Sequence, residues 1–243
     1  MPTQQEHTVK AFDQDIGELR GLISQMGGLA EHAIADAMLA LQRNDTALAE
    51  QVRAGDKAID ALETEIERHA VRLIALRAPM ADDLRDVVAA LKIATVIERI
   101  ADYAKNIAKR VPMIHGDAQS GGGRIEPLSL LPAMGTLATD MVHDVLNAFS
   151  ARDAAAAVKV RERDRAVDDF YNSIFRVLVT YMVENPRTVS QVAHLLFVAK
   201  NLERIGDHAT NIAEMVYFAA TGRYLADRDA GDSDAAPAEE VHS

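Results

Sequence analysis

Glu98, Asp102 and Asn106 stand at i, i+4 and i+8, and so do Glu203, Asp207 and Asn211. The residues around them match too. Ile97-Glu98-Arg99-Ile100-Ala101-Asp102-Tyr103-Ala104-Lys105-Asn106-Ile107-Ala108 returns as Leu202-Glu203-Arg204-Ile205-Gly206-Asp207-His208-Ala209-Thr210-Asn211-Ile212-Ala213. On a helix this spacing stacks three oxygen-bearing side chains along one line. A second matched pair lies upstream of each copy: Asp56 and Asp60, then Asp164 and Asp168. Antiparallel neighbouring helices have axes about 8–10 Å apart. Four carboxylates facing one another across that gap would cage a hard or borderline cation. Oxygen ligation suits Mg, Ca or Mn, and carboxylate-rich sites also hold Fe or Zn.

The competing reading is a structural polar ladder. Acids are 37 of 243 residues, so chance supplies about five or six acidic i, i+4 pairs and one pair decides nothing. Most would lie on a solvated face or meet a neighbouring base, as Glu98 would with Arg99 or Asp102 with Lys105. Chance does not place two pairs at the same register in both halves. Glu98 and Asp102 share a helix side with Val87, Leu91 and Ala94, and Glu203 and Asp207 with Val192, Leu196 and Ala199, at the margin of an apolar arc. The Asp56–Asp60 line continues with Glu63 and Glu67, whereas Asp164–Asp168 continues with Tyr171 and Phe175. The first half is therefore expected to be the more highly charged.

Other chemistry finds little support. There is no cysteine, hence no thiolate ligand or thiol catalysis. Glu-x-x-His occurs at Glu239–His242 in the tail, which disfavours a di-iron carboxylate bundle. His208 and His143 have Tyr103 and Ala35 as repeat counterparts and read as packing or surface histidines. No phosphate loop, Gly-x-Ser-x-Gly elbow or His-Glu-x-x-His motif occurs. No catalytic residue is assigned and no enzyme is expected. A carboxylate-bridged oxidoreductase is the alternative.

Helices must position these residues. Apolar residues are 49% and aromatics 5%, with no Trp, a balance that favours helix over sheet. Three-and-four apolar spacing predicts helices over 8–43, 46–77, 82–111, 128–151, 154–184 and 187–220. Pro79 and Asn185-Pro186 mark the sharp breaks. Leu29 meets Leu137, Asp45 meets Asp153 and Asp56 meets Asp164 at an offset of 108; after the proline breaks the offset is 105. The fold class expected is all-α, two pseudo-symmetric three-helix bundles from an internal duplication. The first covers 8–111, a linker with Gly121-Gly122-Gly123 covers 112–127, the second bundle 128–222, and a disordered acidic tail 223–243. Net charge −11 argues against nucleic acid and for cations or basic protein surfaces. The polar start and the brevity of the densest apolar run, Leu195–Ala199, predict a cytoplasmic protein.

With these residues laid out, the chain resembles the PhoU family, the phosphate-specific transport system accessory proteins. The resemblance spans roughly 8–222. It rests on the paired Glu-Arg-Ile-x-Asp-x-x-x-Asn-Ile segments at 98–107 and 203–212, the Asp-x-x-x-Asp pairs, and Asp83-Leu84-Arg85 after the first proline break. It implies two three-helix bundles in a cytoplasmic, often dimeric protein. Carried over by position, multinuclear iron or zinc would be held by Asp56, Asp60, Glu98, Asp102, Asp164, Asp168, Glu203 and Asp207, with Asn106 and Asn211 beside them. Mg or Mn remain open, and such sites can stand empty. The implied role is negative regulation of phosphate uptake and of the phosphate-starvation response. The implied partners are the phosphate ABC transporter ATPase and a membrane sensor histidine kinase with its response regulator, so that membrane association would come only through them. The second break departs from the pattern, carrying Arg187-Thr188-Val189.

Overall fold

Asp45 and Asp153, repeat counterparts, open the second helix of each half in the same way. The Asp45 carboxylate accepts from the Leu48 N–H at 2.9 Å, and Asp153 accepts from Ala155 and Ala156 at 2.9 and 3.0 Å. Each satisfies donors the first helical turn leaves over. The residues before them, Asn44 (φ 54°) and Arg152 (φ 53°), take the left-handed conformation that ends the preceding helix.

This computed structural model describes residues 4–115 and 126–225. The glycine run and the tail beyond 225, which the sequence assigns to a linker and to disorder, lie outside the described residues. The helices are α1 (Gln4–Arg43), α2 (Thr46–Arg77), α3 (Asp82–Ala108), α4 (Val111–His115), α5 (Leu131–Ala151), α6 (Ala154–Glu184) and α7 (Val189–Thr221). No strand occurs among the described residues. Helix α1 begins before the expected position 8, and the third helix stops at Ala108. A further turn, α4, follows it, and the His115 Nε2–H donates to the Leu41 carbonyl at 2.9 Å. The first proline break places Ala78 (φ 44°) and Ala81 (φ 49°) in positive-φ conformations. In the second, Pro186–Thr188 forms a 3₁₀ turn, in keeping with a loop three residues tighter.

Within each half the three long helices pack on one another, so the two helical bundles are present. They do not stay separate: α1 lies on α5 and α3 on α7. One continuous core results, with Ile23, Ile34, Ile93, Ile100, Met134, Val142, Leu195 and Ile205 fully buried. Each such side chain contributes about 1.5–3 kcal/mol of burial. Helices α2 and α6 flank this inner four. Two repeat-related glycines let α1 approach α5. A Cβ on Gly27 would collide with Leu146 Cδ1, and one on Gly135 would stand 3.0 Å from Met38 Cγ. Of the adjacent pair Gly27-Gly28, the close contact is at Gly27, since Gly28 faces open space. Among the described residues no helix is long and apolar enough to cross a membrane.

A buried carboxylate ties the halves together. Asp86 on α3 accepts from Arg20 Nη2 on α1 at 2.6 Å, and Arg152 Nη2, from the α5–α6 turn, lies 3.1 Å from its other oxygen. Burial pushes the Asp86 pKa up, against the two guanidinium charges. Both arginines are partly exposed and can turn to water, whereas Asp86 cannot. Removing both arginines should therefore cost about 3 kcal/mol, the scale of an uncompensated buried charge. Asp86→Ala should cost less than half of that. Urea unfolding of the three proteins checks the order.

Candidate metal centre

Helix α6 carries Asp164 and Asp168, and α7 carries Glu203 and Asp207. The helices run antiparallel on one another, and ligand oxygens of Asp168, Glu203 and Asp207 all lie within 4.8 Å of each other. The small position of the motif helps, since a Cβ on Gly206 would press on Val167 Cγ1 of α6 at 3.2 Å. Asp164 is buried beside this trio. Lys200 Nζ donates to Glu203 Oε1 at 2.5 Å and sits 5.1 Å from the centre of the Tyr171 ring. Glu203 Oε2 is buried with no hydrogen-bond partner among the described residues. Asp207 keeps contact with solvent, yet partial burial first, then the charges of Glu203, Asp164 and Asp168, raise its pKa to about 6. Three convergent carboxylates, one with an orphaned buried oxygen, fit a divalent cation.

The first half carries the same acids and a different arrangement. Lys105 Nζ donates to Asp56 Oδ2 on α2 and, at 3.2 Å, to Asp102 Oδ1 on α3. The bond to buried Asp56 is the main reason the lysine pKa rises. Glu98 has its pKa raised by burial first, then by Asp102, Glu63, Asp60 and Asp56. The counterparts of the second-half trio, Asp60, Glu98 and Asp102, form no such convergent group among the described residues. The first half keeps its additional acids, Glu63 and Glu67, and Glu63 bears on Glu98; what differs is the convergence. An ammonium joins its two helices, and a metal does not fit while it stays there.

The structure does not bring both asparagines to the acids. Asn106 is exposed. Asn211 is exposed as well, and its amide donates to His208 Nδ1 at 3.2 Å. The His208 ring stacks on Tyr103 with centroids 5.3 Å apart. Burial first, then Arg99 and Arg204, hold its pKa down, so the neutral ring can accept at Nδ1 and donate from Nε2 to the Tyr103 hydroxyl at 3.2 Å. These counterpart residues meet on the α3–α7 seam, which makes His208 a packing histidine. His143 lies exposed beside Glu31 Oε2 at 3.1 Å.

Sequence spacing offers Lys105 only as a local partner of Asp102 and does not single out Lys200. The signal was present in the repeat register: Thr95 and Lys105 in the first half face Lys200 and Thr210 in the second, so the lysine changes ends. A second trio, Asp15, Glu18 and His69, also converges, but ordinary pairing accounts for it. Arg77 Nε holds Asp15 at 2.9 Å, His69 bonds the Asp15 carbonyl and Gln14 bonds Glu18.

Comparison with known proteins follows the same division. A family model described as PhoU domain matches twice, over residues 23–111 and 131–216. The chain is 56% identical to the phosphate-specific transport system accessory protein PhoU homolog of Zymomonas mobilis, over 93% of both chains. It is 49% identical to the protein of that name from Caulobacter vibrioides, over 90% of this chain and 94% of the relative. Among solved structures, PhoU from Pseudomonas aeruginosa superposes with TM-score 0.82 at 37% identity, covering 87% of this chain and all (100%) of that one. The phosphate transport system regulatory protein PhoU from Streptococcus pneumoniae gives 0.81 at 28%, covering 88% and 99%.

In metal-free protein, native Asp207 keeps its proton to about pH 6, against 3.8 ordinarily. The native state then binds more protons than the unfolded one between those values. Stability from this group is full below about pH 4 and is lost as pH rises through about 6. Solvent screening limits the effect to about 1 kcal/mol. Asp207→Asn should raise the melting temperature by about 2–4 °C at pH 7.5 in chelator. The gain should vanish below about pH 4, as thermal circular dichroism would show.

Proposed function

Because the chain belongs to the PhoU family, we propose that it is an accessory protein of a phosphate-specific transport system. In this reading it works in the cytoplasm as a homodimer and a negative regulator. It restrains phosphate uptake and keeps the starvation response silent by linking the transporter ATPase to a sensor histidine kinase and its response regulator. The observation that carries the reading is the extent of the likeness. It runs through both repeats, to relatives whose names make them accessories of phosphate-specific transport. A net charge of −11 suits docking to basic partner surfaces.

Within that role, Asp168, Glu203 and Asp207, with Asp164 beside them, would hold a divalent metal such as iron or zinc. The metal would supply positive charge that offsets carboxylate repulsion and fixes α6 to α7. An oxidoreductase reading draws on the same trio. His208, which follows Asp207 in the chain, is engaged by Tyr103 and Asn211 instead, and the relatives' names describe an accessory protein.

Deleting the gene should raise phosphate uptake and leave starvation genes on in phosphate-rich medium. Affinity capture of the tagged protein from such medium should retain the transporter ATPase and the kinase. A deletion strain with normal uptake and silent starvation genes would refute the regulatory role.

A further inference from the structure

The two halves present equivalent acids and neutralise them differently. In the first, Lys105 bridges Asp56 of α2 and Asp102 of α3. In the second, the residue at that register is Thr210, short, neutral and 8% exposed, with Oγ1 unpartnered among the described residues. The second-half lysine, Lys200, stands at the other end of the line. It takes one oxygen of Glu203 and rests over Tyr171, which replaces Glu63 of the first half. Ligand oxygens of Asp168, Glu203 and Asp207 converge there, with no lysine at the register of Lys105.

We propose that Lys105 is a built-in counter-ion that takes the place of a metal in the first repeat, so that metal binding belongs to the second repeat alone. This rests on the metal reading given above. A lysine ammonium offers three donors and one positive charge, enough to join two carboxylates across a helix pair. A divalent ion needs several oxygens at about 2.0–2.6 Å. It cannot share Asp56 and Asp102 with an ammonium, which would repel it at contact distance. The difference in convergence of the two trios is what such a lysine produces. It draws Asp56 and Asp102 together and leaves Asp60 and Glu98 outside the pair. The first repeat is then joined at any metal supply, while the second responds to it.

The test exchanges the two residues. Native protein, Asp207→Asn, Asp102→Asn, Lys105→Thr in the native and Asp207→Asn backgrounds, and Thr210→Lys are dialysed against zinc(II). Bound zinc per chain is measured by mass spectrometry, and circular dichroism monitors the fold. Lys105→Thr should restore zinc to the Asp207→Asn protein. Thr210→Lys should weaken zinc binding by roughly tenfold or more, the scale seen when a metal site loses its supporting residues. It stands as a separate arm should Lys105→Thr not fold. A Lys105→Thr, Asp207→Asn protein without zinc, or native protein that loses zinc on Asp102→Asn, overturns the proposal. The metal reading is judged apart, by native protein against Asp207→Asn. If those two bind equally little, that reading fails, and the Lys105→Thr arm still decides the role of the lysine.

Discussion

Carboxylates gathered on two packed helices repel one another, and the fold has to absorb that repulsion wherever the repeat places them. At ordinary pH each helix pair brings four acids to one seam, part of it buried. Water cannot screen them as it would on an open surface. The remaining remedies are a proton, a basic side chain or a bound cation. The first repeat uses Lys105. The second pairs one oxygen of Glu203 with Lys200, retains an acid that holds its proton to about pH 6, and leaves the other Glu203 oxygen without a hydrogen-bond partner among the described residues. One duplicated motif has thus diverged in how its charge is balanced.

The backbone depends on the inner four helices. Gly27 against Leu146 and Gly135 against Met38 set how near α1 and α5 can lie, and Tyr103 stacks on its own counterpart, His208, where α3 meets α7. The seam between the halves is therefore built from repeat-related residues meeting each other. With the seam fixed, α2 and α6 are held on opposite flanks, each laying its acids against α3 or α7. Asp86, bound by arginines from both halves, adds a charged tie. The acid lines are products of the core, and a change at the seam would alter both.

Much of this was legible in the residues, for local reasons. Caps such as Asp45 and Asp153, and breaks at Pro79 and Pro186, act over a few residues, so α2 and α6 begin and end where the pattern says. Apolar periodicity and the repeat register carry the helical class and the eight acids. What escaped is non-local. Lys105 meets Asp56 across 49 positions, and no spacing rule connects them. Periodicity shows that a helix face is apolar, not which bundle covers it, so the merging of two bundles into one core was hidden. Asn106 and Asn211 continue the acid line in sequence, but i+8 on a real helix drifts away from i, and Asn211 turns to His208.

The account is tested most directly by anomalous diffraction from crystals grown with zinc(II). It predicts an anomalous peak between α6 and α7, about 2.0–2.2 Å from oxygens of Asp168, Glu203 and Asp207, with the Lys105 ammonium between Asp56 and Asp102. A peak between α2 and α3 at those two aspartates, with Lys105 displaced, would contradict it, as would no peak at either seam.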